Sequence, residues 1–519
     1  MKFLFVAKAL PLLVVVLGLT ACALPQPPQD AAQSAVVTPA RAVVAAPTPF
    51  ACGGTVEART WQLWDAQGRA FMRGQLIGAR LKDQGDTYAL YDIQIEFHNL
   101  MMMAQRCGRV DRLVQLADDL MPVFDKLEPL DGDASNLVWI CRGGAVCNAR
   151  NRLVNTEVML VSLQGLGLFT ALADALVHAP DAAARSHPFV ARTAQVAAAH
   201  LLRWGNASAR AQWMRLAGAN PQDVKNGSSA LFYTDKPLWM LGVHAHLAGI
   251  AAVQPNALRA VAAPGSAAHT ELAEGMAALL RFFERRLSLQ TVQSDRLAGS
   301  VQVADVDAGY WRLYADNRFA GYTGSQGPAV CEPLQGGGMR ARVLVDVAKV
   351  PPVKNLGWDF SHARRLVQVL DALQRNRHAL QAWYGLAPER LPAPDLAQAF
   401  AAQLVAGVWN GDAQRPLFAN YWGGANGWYR VAYDNGTGAC YAGYPPFGLS
   451  NSFPTGGYAI WGAYYPVIDD LARSIYALAD SADPAAVAFI RKHYGGLSQA
   501  ASTNNRMVEQ LMFWPTLVR

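Results

Sequence analysis

Between residues 151 and 177 the chain is apolar on almost every side, with Leu153, Val154, Val158, Met159, Val161, Leu163, Leu166, Leu168 and Phe169 in quick succession. A helix of that composition is stable only when other elements surround it, because no face of it suits water. The segment therefore demands an interior helix inside a shell. Helical periodicity supplies the shell at about 88–103, 111–127, 187–204, 236–254, 268–290, 359–376, 393–409, 456–479, 484–493 and 502–513. Strand signals are confined to short pieces at 342–345 and about 301–314. The expectation is an all-α body over 51–519, carrying long loops and minor β excursions.

The N-terminus reads as an address. Lys2 and Lys8 precede an apolar run from Ala9 to Leu19, too short to span a bilayer and laid out as a secretory signal. Leu19-Thr20-Ala21-Cys22 resembles the lipobox of bacterial lipoproteins. That resemblance implies a signal peptide over 1–21, acylation of Cys22, and attachment to a membrane through lipid. Ala23 stands where retained inner-membrane lipoproteins carry Asp, which implies the outer membrane, facing the periplasm. From 22 to 50 the chain carries Pro25, Pro27, Pro28, Pro39, Pro47 and Pro49 and reads as a tether.

Six cysteines remain beyond Cys22, and an oxidising compartment permits up to three disulfides among them. Cys141 and Cys147 flank a short Gly-containing loop and are the pair expected to close. No CxxC and no clustered His accompany these cysteines, so no metal is expected. Walker, GxGxxG and GxSxG signatures are missing as well, and no cofactor is expected. The net charge of +6 is spread thinly, with no basic run, which excludes a nucleic-acid partner.

Alternating buried and amphipathic helices over some 450 residues, without a short repeat, resemble the (α/α) toroid of polysaccharide lyases and glycoside hydrolases. The resemblance implies a double ring of helices and a polysaccharide partner. Three long interruptions, at about 205–235, 291–358 and 410–455, are the places for function. The last, extended to Tyr465, is rich in rings, among them Trp422, Trp428, Tyr429, Tyr458 and Trp461. Rings either pack such a loop or give sugars a surface to stack on.

Hydrolysis of a glycosidic bond needs two carboxyls, one protonated and one ionised. Glu157, among apolar neighbours, is a candidate acid whose pKa burial would raise; the plain alternative is a first-turn Glu favoured by the helix dipole. Asp305 and Asp307 alternate on a predicted strand and are expected to point the same way, as a base with its helper or as turn acids. Asp359 opens a helix in Trp358-Asp359-Phe360-Ser361-His362-Ala363-Arg364, where it is either an N-cap or, with His362 and Arg364, part of a site; the segment distantly resembles an aromatic-Asp-x-x-Arg helix start of toroidal hydrolases. Asp92, Glu96 and Asn99 share a helix face that is either solvated or lines a cavity. Paired-carboxylate hydrolysis is the first expectation. A uronic-acid lyase drawing on His362, Arg364, Asn426, Tyr429 and Arg430 is the second, and a non-catalytic glycan-binding lipoprotein the third.

Overall fold

The computed structural model describes residues 48–519 apart from 226, 336–337 and 435–438. The predicted signal segment, Cys22 and nearly all of the tether lie outside the described residues. Helix makes up 58% and strand 9% of the chain, so the body is helical as the periodicity requires. The apolar segment forms the helix Met159–Val177, buried from Val161 onward. Among the described residues this one helix is long and apolar enough to cross a membrane, and 94% of it is buried inside the protein. It begins eight residues later than its apolarity predicts, because Arg152 and Asn155 adopt left-handed conformations (φ 55° and 65°) that only a turn accommodates.

Helix neighbours form a closed circuit. Tyr88–Arg106 packs on Met159–Val177, which packs on Asp235–Val253, which packs on Arg365–Arg375. The circuit continues through Leu396–Gln403 and the short helical segment Tyr458–Ala463 to Thr503–Leu517, which returns to Tyr88–Arg106. Outside it, Pro188–Trp204 packs on Met159–Val177, while Ala267–Arg286 and Arg377–Tyr384 pack on Asp235–Val253. Polar groups tie the inner helices together. Buried Asp174 bonds His246 Nδ1 (2.9 Å) and accepts from Asn376 Nδ2 (2.8 Å). Gly249 is needed there, since a Cβ would lie 2.2 Å from Asn376 Oδ1.

Three antiparallel hairpins decorate this body: β1 (Leu127–Leu130) with β2 (Asp133–Trp139), β3 (Leu287–Ser294) with β4 (Gly299–Val306), and β5 (Ala329–Pro333) with β6 (Met339–Val343). The helix predicted to 290 stops at Arg286, and β3 follows at once. Helical regions that escape the sequence pattern include the run that begins with Thr55–Leu63, Ala207–Ala217 inside the first predicted interruption, and Arg377–Tyr384.

Cys141 pairs with Cys147 as expected, and two further disulfides join Cys52 to Cys107 and Cys331 to Cys440. The first of these two sits where the chain ends meet: Cys52 N–H donates to Arg519 O (2.9 Å), and Arg519 N–H to Phe50 O (2.8 Å). The second clamps β5 to the aromatic loop across 109 residues.

Candidate functional site

Residues 358–360 run against 420–422 as a short ladder: Trp422 N–H donates to Trp358 O (2.9 Å) and Phe360 N–H to Asn420 O (2.8 Å). The ladder delivers Asp359 to the start of a helical turn, where its Oδ1 accepts from the N–H groups of Ser361 (3.0 Å) and His362 (3.1 Å). Oδ2 faces His362 Nδ1 at 2.5 Å and accepts from the Tyr429 hydroxyl at 3.0 Å. Burial pushes the Asp359 carboxyl up, but the charge and hydrogen bond of His362, with help from Arg430 and Ser361, outweigh it and hold the group well below the usual carboxylate range. An ionised carboxylate can only accept, so His362 Nδ1 carries a proton, and whenever the ring is neutral its lone pair is on Nε2. Among the described residues nothing bonds Nε2, and the His362 side chain is 25% exposed.

Three arginines lie in the segments that build this centre. Arg430 lies over the rings of Tyr429 (5.3 Å) and Tyr433 (4.4 Å), with Nε 3.7 Å from Asp316 Oδ2. Its backbone is left-handed (φ 49°), a strained choice for Arg that fixes where the guanidinium goes. Arg365 is spent on Asp235 (3.2 Å) and reaches the Tyr91 hydroxyl (3.4 Å). Arg364 makes no close ion pair among the described residues but bonds Tyr91 and acts on the Asp92 carboxyl through its charge. On the neighbouring helix, Asp92 binds Arg80 (2.5 Å), which also holds Asp86 (2.8 Å). Burial, and then the Asp92 charge, push Glu96 up to about 8, and its Oε2 has no partner. The Asp92 and Glu96 face is thus a half-buried charged seam; Asn99, buried, donates to Met512 O (2.8 Å).

The other predicted acids meet different fates. Glu157 precedes its helix, pairing as a bridge with Ile140, and is gripped by both Arg203 guanidinium nitrogens, His200 Nε2 (3.4 Å) and Trp204 Nε1 (3.4 Å). Burial raises its pKa, but His200 and Arg203 prevail and leave it at about 2, so it is neither a proton donor nor a first-turn helix residue. Asp305 and Asp307 do not point the same way. β4 ends at Val306, and Asp307 turns left-handed (φ 60°), sending its carboxylate inward to Arg286 Nη1 (2.5 Å) and Tyr233 N–H (3.0 Å). Asp305 stays on the strand and lines a cavity. No two of these carboxyls share partners as a catalytic pair would.

The rings are corrected too. Trp422, Tyr458 and Trp461 are buried, and Tyr458 stacks on Phe360 at 4.7 Å while Phe418 stacks on Phe453 at 4.4 Å. They hold the ladder against the helices and offer no face to a sugar. Tyr429 is buried, with its hydroxyl on Asp359. Trp428 borders a groove of about 810 Å³ with Tyr444 and Phe447. Asn426, expected beside a lyase centre, instead uses Oδ1 to accept from Asn420 and Phe447 N–H groups. Sequence reasoning missed Tyr91, Arg80 and Asp316; the Asp92, Glu96 spacing was the available signal for the first two. No family model, curated protein or solved structure matches the chain.

Proposed function

We propose that the protein is a lipid-anchored envelope enzyme that cleaves a uronic-acid polysaccharide by β-elimination. The observation that carries this reading is His362, with Nδ1 on an ionised Asp359, Nε2 without a partner among the described residues, and Arg430 over the Tyr429 ring that also bonds Asp359. The Nε2 lone pair takes the proton from the carbon next to the uronate carboxyl. The electrons of that C–H bond form a C=C bond as the bond to the bridging oxygen breaks, and the imidazolium returns the proton to the departing oxygen. One product carries an unsaturated end and the other a new reducing end. Arg364 and Arg430 stabilise the charge that builds on the uronate carboxyl. Asp359 and Tyr429 are positioning residues that fix the tautomer.

Paired-carboxylate hydrolysis draws less support, because Glu157 and Asp359 are both held ionised by their histidine and arginine neighbours, and Asp307 is turned inward onto Arg286. The closed circuit of inner helices, flanked by outer ones, supports a toroid. Leu19-Thr20-Ala21-Cys22 and Ala23 support anchoring at the outer membrane, facing the periplasm. The test is incubation of the purified chain with neutral and uronic-acid polysaccharides, following reducing ends and C=C absorbance together. Both signals rising on a uronate polymer is the expected result. Reducing ends without absorbance would establish a hydrolase, and saturable binding without either signal would make the protein a glycan-binding lipoprotein.

A further inference from the structure

A second concave site lies on the other side of the ladder that carries Asp359. One face of the β3–β4 hairpin, bearing Ser288, Gln290, Val303 and Asp305, walls a cavity of about 640 Å³ whose far side is formed by Gln403 and Gly423. Asp305 Oδ1 accepts from Val306 N–H (2.7 Å), and Oδ2 looks across bare Gly423, where a Cβ would stand 3.4 Å away. The amides of Gln290, Gln293 and Asn355 have no hydrogen-bond partner among the described residues, and all three border the cavity. Arg286 below them is committed to Asp307. Burial pushes the Asp305 carboxyl up to about 7, so near neutral pH it both donates and accepts.

We infer that this cavity binds a neutral, hydroxyl-rich ligand, a mono- or oligosaccharide, at a site separate from the His362 centre. Free amides and a carboxyl that exchanges donor and acceptor roles match vicinal hydroxyls, while Val292 and Val303 meet C–H surface. No second carboxyl lines the cavity, so the two-acid requirement for hydrolysis is unmet and the site binds without cleaving. The inference holds whether or not His362 performs an elimination.

The experiment is ligand-observed NMR and calorimetry on the purified full-length chain with maltose, cellobiose and N,N′-diacetylchitobiose, and with a uronic-acid disaccharide as the charged control. Saturable binding of at least one neutral disaccharide is expected. It weakens at least about tenfold in Gln290→Trp, an exposed strand position that keeps the fold, and in Gly423→Val, yet survives His362→Ala. No saturable binding by any neutral probe overturns the inference. So does binding that survives Gln290→Trp and Gly423→Val, or that vanishes with His362→Ala, which puts the sugar at the other site. Loss of C=C formation in His362→Ala bears only on the eliminative reading, so the two can fail separately.

Discussion

Glu157 and Asp359 are built from the same parts: a carboxylate held low by a histidine, an arginine and an aromatic hydrogen-bond donor. Their histidines differ. His200 is 1% exposed, with Nδ1 against Val196 O (2.8 Å) and Nε2 3.4 Å from Glu157, so both nitrogens are shut away from solvent inside the protein. His362 gives one nitrogen to Asp359 and leaves the other open. The first arrangement is a brace between Met159–Val177 and Pro188–Trp204; the second, on the proposed eliminative reading, is a poised base. Composition does not separate a brace from a site, and access to the second ring nitrogen does.

The sharpest way to break that comparison is to disturb each carboxylate in turn. Asp359→Asn keeps a capping oxygen but no longer fixes the Nδ1–H tautomer, so the rate of unsaturated-end formation falls by about 10² to 10⁴ with little change in melting temperature. Glu157→Ala does the reverse: it strands Arg203 and His200 and lowers the unfolding free energy by about 3–5 kcal/mol, measured in urea, while kcat below the melting range stays within about twofold. Arg364→Ala tests the cation half of the site. KM for a uronate polymer is expected to rise about tenfold, roughly 1.4 kcal/mol, with the melting temperature nearly unchanged. The remaining prediction concerns Asp305. Burial pushes its pKa up to about 7 in the folded chain, above the ordinary aspartate value of about 3.8, so the native chain holds a proton that the unfolded chain releases. Stability contributed by this group is complete below about pH 4 and is lost as pH rises toward 7, with a slope of at most about 1.4 kcal/mol per pH unit. Asp305→Asn removes that part of the slope in denaturant titrations at several pH values.

Much of the helical body was legible, because burial imposes a 3.6-residue period that survives in 88–103, 187–204 and 236–254 almost residue for residue. Thr55–Leu63 escaped since its apolar residues make no continuous stripe, and Ala207–Ala217 because it is polar and largely exposed. The Asp359 and His362 segment was legible as chemically dense, but the bond between them depends on the N-cap geometry and on Tyr429, 70 residues away. Reading Asp305 and Asp307 as partners failed on a single left-handed residue at the strand end, which alternation cannot reveal. The aromatic loop misled for a related reason: the same rings that suit sugars also stack as a core, and only their burial distinguishes the two.

The central claim is that an open ring nitrogen makes His362 a base where a closed one makes His200 a brace. The most direct measurement compares His362→Gln with His200→Gln for unsaturated-end formation from a uronate polymer, at a temperature where circular dichroism finds both variants folded. The account predicts that His362→Gln loses at least about 10²-fold in rate while His200→Gln keeps the wild-type rate and melts earlier. Equal rates in the two variants, or loss confined to His200→Gln, would contradict it.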